Sequence, residues 1–184
     1  MTALLLLVQQ SVATPLERLQ AKLPVEMVKP SQVAHLAGHY TSISSELRKK
    51  VGGFVLSGED LYLFADQTYI YCEWGDIKPL TIYDSGTWLV ASGRVTLQSD
   101  PALKWHSRLE EEYLAVRRSG RSGEAILVGL KEELQYFEEQ AKDDPDFMLL
   151  LVGLMREQAF GASEGTRIKR RLLAEASRGD RHGK

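Results

Sequence analysis

Cysteine is almost missing from this chain of 184 residues: Cys72 stands alone. A single thiol excludes an internal disulfide framework and any cysteine-rich metal site. It falls inside an alternating run, where a buried, inert thiol is expected, because no neighbour in sequence would stabilise a thiolate. An excess of charge of one sign is missing too. The net charge of −2 argues against wholesale nucleic-acid binding. No run approaches the ~20 apolar residues of a membrane-spanning helix. No serine sits in a Gly-x-Ser-x-Gly context. Ser119-Gly-Arg-Ser-Gly123 lacks the Lys-Ser/Thr ending and the strand-to-helix setting of a phosphate loop, and reads as a hairpin tip.

What is present is a β pattern. Leu61–Tyr71 and Thr81–Leu97 hold short runs of aromatic and β-branched residues. Asp66-Gln67, Asp84-Ser85-Gly86 and Ser92-Gly93 punctuate them as turns, which predicts consecutive antiparallel hairpins. The strands predicted are Phe54–Leu56, Leu61–Phe64, Tyr69–Trp74, Ile82–Tyr83, Thr87–Val90 and Arg94–Leu97, after a first strand near Leu36–Tyr40. Glu46–Lys50 reads as a solvated connection. Alternation puts Tyr69, Tyr71 and Glu73 on one face, and Thr68, Ile70, Cys72 and Trp74 on the other. The set with Ile70, Cys72 and Trp74 is the expected core face. Tyr113–Arg117 and Ala125–Val128 predict one more hairpin with a basic tip.

From Leu130 the period becomes helical. Leu134, Phe137 and Ala141 define a short helix. Asp143-Asp144-Pro145 starts a second, predicted to run to Phe160-Gly161 and to be the main cover of the sheet. Ser163 caps a last helix with Ile168, Leu172 and Leu173 on its apolar face. The expected fold is α+β: a twisted antiparallel β-meander or partial barrel followed by C-terminal helices.

The N-terminus bears on location. Ala3–Val8 is a compact apolar run, and Ser11-Val12-Ala13 offers small residues for a cleavage before Thr14. Residues 1–13 are therefore a candidate signal peptide. Residues 14–32 form an N-terminal arm, and 33–184 a single domain with its sheet in 33–128 and its helices in 130–177. Cleavage implies a periplasmic or secreted protein; without it the chain is cytoplasmic.

Candidate chemistry is sparse. His35-x-x-x-His39 has metal-ligand spacing, but the helper Glu is absent and Gly38 weakens a helix there, so two unrelated histidines are expected and no metal. Asp60, Asp66, Asp76 and Asp84 sit at turn-like positions, where local hydrogen bonding explains them, and Glu73 within a strand. No catalytic residue and no cofactor is assigned. The aromatic set is the one hint of a ligand site, although packing in the core is the favoured account of it. Tyr62, Tyr69, Tyr71, Trp74 and Trp88 are the candidates to line a seat for a small apolar, aromatic or sugar-like molecule. Charge is also segregated: Glu124–Phe147 is acidic, and Gly161–Lys184 is basic. Arg167, Arg170 and Arg171 form a candidate face for an anionic partner.

Leu36-Ala-Gly-His-Tyr40, Leu61–Tyr71, Gly86-Thr-Trp88 and Gly93-Arg-Val-Thr-Leu97 together resemble the strand-and-turn pattern of small lipocalin-like bacterial β-proteins. In that family a Gly-x-Tyr first strand, an Asp-x-Thr-Tyr hairpin and a Gly-Thr-Trp hairpin build a half-barrel. The resemblance covers roughly Val33 to Asp100. It implies a binding or structural role, often in exported proteins, and carries over no catalytic residue.

Three functions follow as expectations. The first is an exported, non-enzymatic binding or structural protein, whose partner is a small ligand or an envelope protein. The second is a cytoplasmic interaction module using the basic last helix. The third is a hydrolase with carboxylates in the sheet concavity.

Overall fold

Strands that alternate inward and outward side chains can curl until the last pairs with the first, leaving no open edge. The computed structural model shows that closure and describes residues 13–28, 36–53, 55–76, 78–101, 109–120 and 125–179. Its strands are β1 (Val25–Met27), β2 (Gly38–Thr41), β3 (Ser57–Leu63), β4 (Thr68–Gly75), β5 (Lys78–Ala91), β6 (Arg94–Ser99), β7 (Glu112–Arg118), β8 (Ile126–Gly129) and β9 (Leu154–Ala159). Its helices are α1 (Pro15–Gln20), α2 (Ser45–Val51), α3 (Glu132–Gln140), α4 (Pro145–Val152) and α5 (Ala162–Gly179). The candidate leader run Ala3–Val8, His35, Phe54, the loop residues Trp105 and His106, and the tip 121–124 lie outside the described residues.

β2 to β9 form an eight-stranded antiparallel barrel of up-and-down type. Each strand pairs with the next in sequence, and β9 returns to β2 through Gly38↔Ala159 and Thr41↔Met155. The expected α+β class holds, and the expected partial barrel is in fact closed. β1 adds a ninth strand. It pairs Val25 with Arg118 and Met27 with Val116, on the half of β7 that β6 does not use.

Large buried side chains pack in the barrel interior. Tyr40, Tyr69, Tyr71 and Tyr113 are essentially fully buried there with Leu61, Leu63, Val95, Leu127 and Leu154, and Trp88 is nearly so. Several of their polar atoms find hydrogen-bond partners, as burial favours. Tyr40 donates to the Leu36 carbonyl at 2.8 Å, and Trp88 Nε1 to the Phe64 carbonyl at 2.9 Å. The Tyr69 hydroxyl donates to Asp84 at 3.0 Å.

Two helical layers cover the outside. Leu114, Val116, Ile126, Val128 and Met155 project outward under Leu19, Leu47, Leu134, Phe137, Leu149 and Leu150 of α1 to α4. Tyr62, Phe64, Ile70 and Cys72 project outward under Ile168 and Leu172 of α5. Caps fix the helix ends. Thr14 and Glu17 form a reciprocal capping box at α1, and Ser44 caps α2. Gly52, at φ 85°, ends α2 in the left-handed conformation that glycine favours.

Several sequence expectations change. Tyr69 and Tyr71 face the barrel interior, while Ile70 and Cys72 face α5; both faces of β4 are buried, so alternation alone picks no core side. Asp84-Ser85-Gly86 is no turn. β5 runs unbroken for 14 residues, because Asp84 is held by Tyr69 and Ser99 (2.7 Å) and Gly86 lets Gln98 of β6 come close. Ile82–Tyr83 and Thr87–Val90 are thus one strand. Ser92-Gly93 is the real reversal, with φ of 51° and 75°. Glu46–Lys50 is not a solvated connection but most of α2, started by Ser44 and docked by Leu47.

The largest correction concerns the expected Asp144–Phe160 helix. α4 starts as expected, with Asp144 capping Phe147 at 2.8 Å, but it ends at Val152. β9 follows and completes the ring, with Leu154 inward and Met155 outward. Leu154, Met155 and Gln158 continue a helical spacing, yet the free edges of β2 and β8 offer their backbone groups better-connected partners. The sheet therefore extends beyond residue 128, into the segment expected to be wholly helical. Leu151 is 43% exposed, so it is not the buried anchor of a covering helix.

Candidate functional site

The five aromatic candidates do not converge. Tyr69, Tyr71 and Trp88 are packed in the barrel interior. Tyr62 lies on the outer wall, stacked on His39 at 4.6 Å between ring centres. Trp74 lies on the outer wall as well, half-buried, with the Arg48 guanidinium 5.7 Å above its ring. Space for a ligand exists instead at one end of the barrel and in a groove on its wall.

The end cavity holds about 870 Å³ and is lined by Glu59, Leu109 to Glu112 and Leu130 to Glu133. β3, which supplies Glu59, lies four strands from β7 in either direction round the ring. A cavity reaching both therefore spans the barrel mouth. Glu59 shares the inward parity of Leu61 and Leu63. The Glu110 carboxylate accepts the backbone N–H groups of Lys131, Glu132 and Glu133 at 2.7, 2.8 and 3.0 Å, where the exposed N–H groups at the start of α3 favour an anion. The Glu133 carboxylate accepts the Gly129 N–H at 2.6 Å. Burial, opposed by that bond and aided by the charges of Glu110 and Glu59, pushes Glu133 up to about 8. Tyr113 lies beneath, its hydroxyl accepting the Glu110 N–H at 3.0 Å, and burial raises it well above the ordinary tyrosine value.

The groove lies on the outer wall at the β4, β3, β2 and β9 side and holds about 370 Å³. His39 Nε2 stands 3.1 Å from Asp60 Oδ1, close enough for an ion pair but out of line for a hydrogen bond. Glu157 accepts the Ser45 N–H at 2.6 Å at the start of α2. Cys72, opposite Asp60 in register, is fully buried; burial first, then the charge of Asp60, pushes its thiol up to about 12.

The remaining candidates separate. His39 sits on a strand, so the helical spacing to His35 loses its meaning. Asp66 anchors a turn, receiving Thr68 and Lys169. Asp76 is exposed after β4, and Asp84 is buried in β5. Among the described residues, no group of three His, Cys, Asp or Glu is arranged to hold a metal ion. No described helix is long and apolar enough to cross a membrane. On α5, Ile168 and Leu172 dock, while Arg167, Arg170 and Arg171 stay outward; Leu173 is half-exposed.

Neither mouth nor groove was legible in the sequence. Glu110 and Glu133 belong to two acidic stretches 23 residues apart, joined only once the β7–β8 hairpin brings its two ends together. The visible signal was the local density of glutamates. No protein-family model matches the chain, and no curated protein or solved structure matches it.

Proposed function

We propose that this protein is an exported, non-enzymatic binding protein of lipocalin-like build, and that it takes a small organic cation in the barrel mouth. One observation carries the reading. The mouth cavity is walled mainly by glutamates over a tyrosine-rich core, so a ligand meets carboxylates at the rim. Its volume falls in the range of small-molecule sites, and barrel mouths are a usual place for them. A concave wall whose charges are mostly of one sign concentrates its field on an opposite charge. The lining shifts the expected ligand from an apolar or aromatic molecule to an amine or quaternary ammonium. Export is supported by the apolar run Ala3–Val8 and the small residues Ser11 to Ala13.

Calorimetric titration with spermidine tests the binding. Uptake that weakens with salt and falls in Glu111→Lys supports it; no heat at low salt rejects it. Mass spectrometry of the mature N-terminus tests export, since cleavage after Ala13 leaves Thr14 first.

A second reading rests on α5. Its arginines are left outward by the docking of Ile168 and Leu172, and they suit an anionic surface.

A further inference from the structure

The groove on the outer wall is a different place with different chemistry. Elsewhere the outward residues of the barrel are apolar beneath the helices: Leu114, Val116 and Met155 on one side, Tyr62, Ile70 and Cys72 on the other. Between these covers the pattern breaks. β2 turns His39 and Thr41 outward, and β3 turns Asp60 and Gly58 outward. The break is not a simple solvated strip, because Asp60 is only 8% exposed and Thr41 4%. A carboxylate kept this dry is costly unless its lone pairs are used. His39 stands beside it, yet the shielded Nε2 makes no in-line hydrogen bond.

The walls are fixed. The Trp74 ring lies against Gly58, where any Cβ would strike it, and the Arg48 guanidinium stands 5.7 Å from the ring centre. His39 is held flat on Tyr62, with an interplanar angle of 10°. Glu157 and Gln158 of β9 close the far side.

We infer that this groove is a carbohydrate site, taking a single sugar ring between Trp74 and the polar set Asp60, His39, Glu157 and Gln158. The donor and acceptor types decide the class. Asp60 and Glu157 only accept, Arg48 only donates, and His39 and Gln158 do both. A polyol hydroxyl gives one hydrogen bond and receives others, so it satisfies neighbours of both kinds at once. A simple anion would meet two carboxylates, and a simple cation would meet Arg48. The C–H face of a sugar ring suits an indole, whose face carries the negative side of its quadrupole. Arg48 occupies that face now, and its exposed side chain can swing aside.

Saturation-transfer NMR with D-glucose, D-galactose and N-acetyl-D-glucosamine tests the assignment, using wild type and the variants Trp74→Phe, Gln158→Ala and Asp60→Asn. The expected result is transfer to at least one sugar, with affinity falling about tenfold or more in a variant, the size of a lost buried hydrogen bond. Asp60→Asn alters a buried position; should it fail to fold, the exposed Gln158→Ala and the half-buried Trp74→Phe decide. No transfer to any of the three sugars, or equal affinity in wild type, Gln158→Ala and Trp74→Phe, overturns the assignment.

Discussion

Glu133 donates its backbone N–H to the carboxylate of Glu110 at 3.0 Å, while its own carboxylate accepts the Gly129 N–H at 2.6 Å. Two acids on one rim thereby have different tasks. Glu110 closes the start of α3, and Glu133 sits in its field and that of Glu59, half-buried.

The linkage has a definite sign. Glu133 titrates near 8 in the folded chain against an ordinary 4.5. The native state holds the proton more tightly, so its contribution is fully present below about 4.5 and is lost as pH rises to about 8. Glu133→Gln keeps an acceptor for Gly129 and cannot ionise. It is expected to melt higher than wild type at alkaline pH, by the equivalent of roughly 1–3 kcal/mol, and to converge with it in acid. Thermal scans across pH check this; parallel curves would show that Glu133 does not titrate abnormally.

At Gly86 the backbone of β6 comes close against β5. A Cβ there would drive into the Gln98 carbonyl oxygen and backbone, which cannot yield as a side-chain end would. Gly86→Ala is expected to cost about 1–3 kcal/mol, typical of overpacking. A urea midpoint equal to wild type would mean the strands separate freely.

The sequence showed the barrel better than it showed the sites. Runs such as Tyr69–Trp74 are periodic over their whole length, and their pairing with the next strand, through Thr81 to Gly86 of β5, follows from closeness in the chain. Closure was invisible, because β9 carries a spacing that a helix also satisfies and its partners β2 and β8 lie far from it or across two helices. Asp84-Ser85-Gly86 misled for a related reason. Turn residues are read from local preference, while here a buried tyrosine hydroxyl and a close neighbouring strand use the same side-chain types. His39 and Asp60 looked unremarkable alone; only the β2–β3 register brings them together.

The neighbours Leu150 and Leu151 separate two pictures of α4. Leu150 is fully buried among the outer-wall residues, and Leu151 is 43% exposed. Leu150→Ala is expected to cost about 2–5 kcal/mol through lost burial and the cavity left behind. Leu151→Ala should cost less than about 1 kcal/mol, as a change at a half-exposed position with no cavity to leave does. Chemical denaturation of the two variants decides; the reverse order would mean α4 is rotated on the barrel.

The outward face of α5 gives the last prediction. Lys169 is already engaged, reaching Asp66 at 3.0 Å and Thr68 at 2.7 Å beside the Phe64 ring, so it fastens the helix to the β3–β4 turn. Arg167 and Arg171 face Glu164 and Glu175 at 3.8 and 3.9 Å, exposed pairs that water and salt readily screen. Arg170 is exposed on the same helix. These side chains are free to exchange their weak partners for lipid phosphates without unseating Ile168 and Leu172. Vesicles of phosphatidylglycerol should therefore co-sediment with wild type at low salt and release it at high salt, because screening shortens the reach of each charge. The Arg167/Arg170/Arg171→Ala variant should stay in the supernatant while melting as wild type does. Equal sedimentation of the two proteins, or binding indifferent to salt, would remove the anionic surface as a partner of this helix.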